Sequence, residues 1–229
     1  MNALLGLLAR REQAALREQC EVVPLVLGED VQQPGDAVAH VLFPTSGYLS
    51  LVTGTDVAPG MEVGMVGIEG MLGTHLLLGV RTTSLRAMVQ GGGDALRLPV
   101  AALLAAIAAS PTLDRVLKRY LHVLMTQFTT AAPCLRYHAI GPRLARWLLM
   151  MHDRSGRVDF HATHEFLSLM LGVRRAGVTI AAGELQAKGL IHYERGLVQV
   201  LDRGGLEAAA CGCYALDQAA YLDVMLARR

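Results

Sequence analysis

The sequence predicts an α+β protein with an N-terminal antiparallel β jelly roll or barrel, a long helix for dimerisation, and a C-terminal winged helix-turn-helix. Three observations predict it. Short apolar runs broken by Gly and Pro fill residues 21–99. Apolar side chains stepping alternately by four and three fill residues 112–136, and residues 163–202 run in the order helix, Gly turn, helix, hairpin. With 229 residues, 52% hydrophobic and 18% charged, the chain has material for one large or two modest cores, which excludes wholesale disorder. A formal net charge of +1 excludes an overall polybasic field, so any nucleic-acid contact must be local.

Residues 2–19 read as one amphipathic helix through Leu4, Leu7, Leu8, Ala15 and Leu16. No stretch approaches 18 uninterrupted apolar residues, and the opening apolar run precedes Arg10 and Arg11 instead of following a positive start. The expectation is a cytoplasmic protein without membrane contact. Strands are expected at 22–27, 38–43, 48–52, 62–66 and 85–89, punctuated by Gly28, Pro34-Gly35-Asp36, Gly47, Pro59-Gly60 and Gly91-Gly92-Gly93.

A short alanine-rich helix at 100–109 ends at Pro111. In the long helix that follows, Leu113, Leu117, Tyr120, Leu124, Gln127 and Ala131 form a seam for another helix. That partner is either a second copy in a two-fold homodimer or an element of the same subunit. Pro142 is tolerated in a first helical turn, so Ile140-Gly141-Pro142 begins a new helix and divides the chain into domains 1–136 and 137–229. The second domain holds 11 basic and 9 acidic residues, which makes it the better partner for a polyanion.

Thr163 caps a short helix with Phe166, Leu167 and Met170 inward, Gly172 turns the chain, and a second helix at 174–188 packs through Val178, Ala181, Ala182 and Leu185. Strands at 190–193 and 197–201 flank the turn Glu194-Arg195-Gly196. In this geometry the second helix fits the DNA major groove and the hairpin lies beside the phosphates. Arg175 is the candidate for a bidentate bond to guanine, and Arg174, Thr179 and Arg195 are candidates for phosphate or sugar. Thr163 and Ser168 lie near the backbone in such a docking. Each has a plainer alternative: a solvated basic pair, a helix-surface hydroxyl, a turn residue, a cap.

Residues 172–178, Gly-Val-Arg-Arg-Ala-Gly-Val, resemble the recognition-helix start of bacterial CRP/FNR-family regulators, and the resemblance extends over about residues 20–202. It implies a cyclic-nucleotide-binding-like domain, a dimer helix, a winged helix that binds double-stranded DNA, a regulator and not an enzyme, and a contact with RNA polymerase. Arg175 matches the guanine-binding arginine. Ala176 stands where a glutamate is common and Gly177 where a threonine is common, so the target sequence differs from that of members with the glutamate. The segment Ile68-Glu69-Gly70-Met71-Leu72-Gly73 with Arg81-Thr82 is similar to the family's phosphate-binding cassette, which makes Gly70, Met71, Arg81 and Thr82 effector candidates. Thr129 falls near the helix positions that meet a purine in nucleotide-binding relatives. Met71 replaces a glutamate that holds a ribose hydroxyl and cannot accept that bond, which disfavours cyclic AMP and cyclic GMP. Another small effector, or no ligand, remains open.

Cys20 is the only N-terminal cysteine, so an iron-sulfur cluster of the oxygen-sensing type is not expected. Cys211-Gly212-Cys213-Tyr214 is similar to a late element in part of the family and reads as structural, with no metal ligands assigned. His40 and His75 read as surface or turn residues, and His161 and His164 as capping or surface residues. Two other classes stay in view: a protein-interaction module that no longer reads DNA, and a small-molecule enzyme, for which no paired carboxylates or activated nucleophile are found.

Overall fold

The computed structural model describes residues 1–55 and 58–226. Two helices, α1 (Ala3–Gly6) and α2 (Arg10–Glu18), replace the single helix expected over 2–19. Local caps split them. Asn2 Oδ1 accepts from the Leu5 amide at 3.1 Å to start α1, and Glu12 accepts from the Ala9 amide at 3.3 Å to start α2. The Asn2 amide also donates to the carbonyls of Pro44 and Gly70, both at 2.9 Å, tying the N-terminus to the sheet region.

Seven strands follow: β1 (Glu21–Leu25), β2 (Asp30–Gln32), β3 (His40–Pro44), β4 (Tyr48–Thr55), β5 (Ala58–Val66), β6 (Arg86–Gly91) and β7 (Gly93–Pro99), with a 3₁₀ turn at Thr74–Leu78 before β6. They pair antiparallel in two sheets, ordered β1-β7-β3 and β2-β6-β4-β5. Neither sheet closes into a barrel, so the expected jelly roll or barrel is corrected to two open sheets around a shared core of Leu25, Leu42, Leu49, Leu51, Val66, Val89 and Ala95. The physical reason lies in the Gly91-Gly92-Gly93 run. It reads in the sequence as turn punctuation, and the chain crosses there from one sheet to the other, since β6 pairs with β4 and β2 while β7 pairs with β1 and β3. A Cβ on Gly91 would lie 2.4 Å from the Tyr48 ring, and one on Gly93 2.5 Å from the Ser46 carbonyl, so only glycines pass.

Next come α3 (Val100–Ala109) and α4 (Pro111–Tyr137); Ser110 Oγ accepts from the Leu113 amide at 3.0 Å to start α4. Of the two partners the sequence leaves open for the seam, the structure shows the one within the subunit. Leu113, Leu117, Tyr120, Leu124 and Gln127 are buried within the subunit, the first three in one cluster with Leu4, Leu16 and Phe43. A second stripe with the same alternating spacing stays at the surface: Leu121, Met125, Phe128, Ala132 and Leu135, of which Met125 is 53% exposed. Spacing alone does not say which of two adjacent stripes faces inward.

The remaining elements are α5 (Ile140–Ser155), β8 (Asp159–His161), α6 (His164–Leu171), α7 (Arg175–Ala187), β9 (Ile191–Glu194), β10 (Leu197–Val200), α8 (Arg203–Ala209) and α9 (Cys213–Tyr221), with a π-helical turn at Leu222–Leu226. The small sheet is ordered β8-β10-β9, so the expected hairpin gains a third strand. Trp147, Leu148, Val178, Ala182, Leu185 and Val198 form its core, and Tyr48, Val52 and Met65 from the larger sheets extend the same cluster. α9 returns to pack on α4. Among the described residues no single helix is long and apolar enough to cross a membrane.

Candidate nucleic-acid interface and cavity

Thr163 Oγ1 accepts from the Phe166 amide at 3.1 Å and starts α6; Gly172, at φ +61°, ends it. Arg174 is the N-cap of α7 in extended conformation and Arg175 is its first residue, both exposed. Behind them Val178, Ala181, Ala182 and Leu185 are buried, which turns Ala176, Thr179, Ile180 and Gly183 outward. Ile180 is 65% exposed, a large apolar side chain among those outward positions. Gly177 faces inward instead: a Cβ there would meet Ile140 Cδ1 at 2.9 Å, so the glycine lets α7 seat against the start of α5.

The site candidates separate into free and engaged groups. Thr179 Oγ1 donates to the Arg175 carbonyl at 3.1 Å and lies 3.0 Å from His164 Nδ1. His164 stacks on Tyr193 at 4.5 Å and 14°, and the Tyr193 hydroxyl donates to the Ala162 carbonyl at 2.7 Å. This chain of contacts joins α7 to β9. His164 is therefore a joint and not the simple cap or surface residue expected, and burial together with the Arg175 charge holds its imidazole below the usual range. Ser168 Oγ donates to the Glu165 carbonyl at 2.7 Å, so Ser168 and Thr163 are both occupied locally. Arg195, at the tip between β9 and β10, takes φ +50°, with its side chain 92% exposed and 3.9 Å from Glu194.

A buried polar link invisible in the sequence pattern connects this surface to the larger sheets. Glu62 on β5 accepts from Ser50 Oγ at 2.5 Å and from Trp147 Nε1 of α5 at 2.7 Å. Burial pushes its carboxyl up to about 8, only partly offset by those two bonds and by the Arg154 and Arg146 charges. Beside it Arg154 of α5 donates to Glu69 at 2.8 Å, and α6 packs on β5.

Between the larger sheets and α4 lies a cavity of about 450 Å³ lined by Met71, Thr82, Thr83, His75, Leu124 and Phe128 among others, and no charged residue lines it. Of the five effector candidates, Met71 and Thr82 line the cavity. Gly70 instead makes room for the Tyr120 hydroxyl, which would stand 1.9 Å from a Cβ there. Arg81 is exposed and outside the lining, and Thr129 is exposed with its hydroxyl donating to the Thr126 carbonyl at 2.8 Å. His75, read as a surface or turn residue, is half-buried in the 3₁₀ turn. Its Nε2 is buried with no partner among the described residues, and burial lowers its pKa, so a neutral imidazole lines the cavity.

Residues 142–209 match the Crp-like helix-turn-helix domain family. The transcriptional regulator SdrP of Thermus thermophilus is 38% identical over 61 residues, 27% of this chain and 30% of that protein, so the aligned part spans under a third of that relative's length. Among solved structures, FixK2 from Bradyrhizobium japonicum is similar with a TM-score of 0.71 at 13% identity, over 84% of this chain and 98% of that one. A CRP/FNR-family regulator from Thermus thermophilus is similar with a TM-score of 0.65 at 23% identity, over 83% and 98%. The c-di-GMP-responsive regulator CLP of Xanthomonas campestris gives 0.67 at 16%, over 84% and 99%. At these identities the structural matches speak for the fold.

Proposed function

We propose that the chain is a CRP/FNR-family transcriptional regulator that binds specific DNA sequences as a homodimer, a reading supported by its match to the Crp-like helix-turn-helix domain at residues 142–209. The observation that carries this reading is the exposed front of α7. Among the described residues, the side chains of Arg174 and Arg175 have none of the local bonds that occupy Thr163, Ser168 and Thr179. Arg175 reads a guanine through O6 and N7, Ile180 offers an apolar contact to a thymine methyl, and Arg174 and Arg195 hold phosphates. Two copies joined along Leu121, Met125, Phe128, Ala132 and Leu135 present two such helices to half-sites about 34 Å apart.

Genomic fragments selected by the purified protein, followed by salt-titrated affinities, test the reading. Arg175→Ala is expected to lose about 5- to 150-fold of discrimination between selected and random DNA, the worth of one bidentate base contact. Arg195→Ala weakens binding to both and lowers the salt slope by about 1. Unchanged discrimination in Arg175→Ala removes its base-reading role, and selection without sequence enrichment favours an interaction module.

In the cavity, uncharged and mostly apolar walls with one hydrogen-bonding imidazole suit a neutral small effector better than a cyclic nucleotide, whose phosphate would enter without a cation. The effector acts through the packing of α4 and the Glu62–Trp147 link on the angle between the sheets and the winged helix.

A further inference from the structure

Three buried cysteines and one histidine converge at the turn between α4 and α5, away from both the cavity and the DNA-facing surface. Cys134 lies in the last turn of α4, and His138, four residues on, is its C-cap, so the two side chains share one side of the helix end. Cys211 and Cys213 flank Gly212 where α9 begins. Cys134 Sγ is 3.6 Å from Cys211 Sγ, and Cys213 Sγ is 3.6 Å from His138 Nδ1. One ligand atom from each of the four lies within 4.8 Å of all the others.

Those separations have a chemical meaning. A disulfide needs its sulfurs about 2.05 Å apart, and all four cysteines of the chain are free. Around a tetrahedral zinc, with Zn–S near 2.3 Å and Zn–N near 2.0–2.1 Å, neighbouring ligand atoms stand about 3.5–3.8 Å apart. Two edges of the cluster, both 3.6 Å, match that figure. Three thiolates and one imidazole leave a divalent ion with one net negative charge, and a cation stands ready to offset it. Arg146 Nη1 lies 3.8 Å from Cys134 Sγ while its Nη2 donates to Asp217 at 2.6 Å. Asp217 is on α9, the helix that carries Cys213, so the cation is oriented by the same element that supplies a ligand.

We propose that Cys134, His138, Cys211 and Cys213 form a structural zinc site. Four protein ligands leave no open position, which fits a structural and not a catalytic ion. The site clamps the end of α4 to the start of α9 and so sets the angle at which α5 leaves the long helix. It stands independently of the DNA-reading proposal, because it rests on a cluster that touches neither α7 nor the wing.

The test is metal analysis of the full-length protein purified under reducing conditions without chelator. One zinc per chain is expected, and replacement by cobalt(II) should give thiolate-to-metal charge transfer and the intense d–d bands of a tetrahedral sulfur-rich site. Cys213→Ser and His138→Ala should lower metal content at least about fivefold, while Cys20→Ser, whose sulfur lies outside the cluster, should keep it whole. Because a ligand variant that fails to fold would also lose metal, the cobalt spectrum of the unaltered protein decides alone. Metal-free protein that takes up no cobalt with those bands overturns the proposal. So does full metal content in Cys213→Ser, or a Cys134–Cys211 disulfide in metal-free protein.

Discussion

The front of α7 and the cavity beneath α4 are built in opposite ways. On α7 the reactive groups are charged, exposed and contiguous, Arg174 and Arg175 being neighbours in sequence and in space. In the cavity the walls come from strands, a 3₁₀ turn and a helix distant from one another in the chain, carry no charge, and leave one buried imidazole nitrogen unpartnered among the described residues. The front of α7 carries the adjacent basic pair that the proposed contact with a phosphate backbone requires. The cavity takes in Met71 and Thr82 but, among the described residues, no cation that a nucleotide phosphate would need, since Arg81 stands outside it.

The sharpest way to break this contrast is to disrupt the proposed dimer along α4. Ala132→Glu places like charges face to face on the exposed stripe of α4 without touching the cavity lining. Sedimentation is expected to show monomers, and affinity for a two-half-site duplex should fall more than about 100-fold, because loss of the second half-site removes the avidity of linked contacts. A variant that stays dimeric places the interface elsewhere.

Glu62 tests the link between the two regions. Its folded-state pKa of about 8 lies above the ordinary 4.5, so the folded chain holds a proton that the unfolded chain releases. The stability tied to this group is fully present below about pH 4.5 and is lost as pH rises through about 8. Glu62→Gln keeps the acceptor for Trp147 and a donor for Ser50 and carries no charge. Its Tm should exceed the parent's by about 3 °C or more at pH 8.5, equivalent to about 1 kcal/mol in a chain of this size, and match it near pH 4.5. An equal difference at both pH values would show that the carboxyl is not held neutral.

The smallest expected effect is a null result with content. Calorimetry with cyclic AMP or cyclic GMP should give no binding heat at ligand concentrations up to about 1 mM, a Kd floor near 4 kcal/mol of binding free energy. Micromolar binding would mean that Arg81 swings into the cavity, and the contrast drawn between the two regions would fall.

Much of the winged helix is legible in the sequence because its signals are local. Thr163, Gly172 and the spacing of Val178, Ala181, Ala182 and Leu185 each act within a few residues, and the structure places every one as read. The same local logic fails on residues 2–19, where Asn2 and Glu12 cap two helices inside one apolar pattern. It fails again on His164, whose stacking partner Tyr193 lies 29 positions away, and on Glu62, whose partner Trp147 lies across a gap of 85.

Residue order alone settles the succession of elements, the basic front of α7 and the residues able to cap, turn or pack, since these depend on side-chain type and on the fixed periods of helix and strand. Three-dimensional packing was needed to show which of two equal stripes on α4 is buried, that Gly91-Gly92-Gly93 passes between two open sheets, and that Cys134 and His138 meet Cys211 and Cys213. Each of these turns on which distant surfaces come together. Periodicity specifies that a face must be covered but carries no record of what covers it.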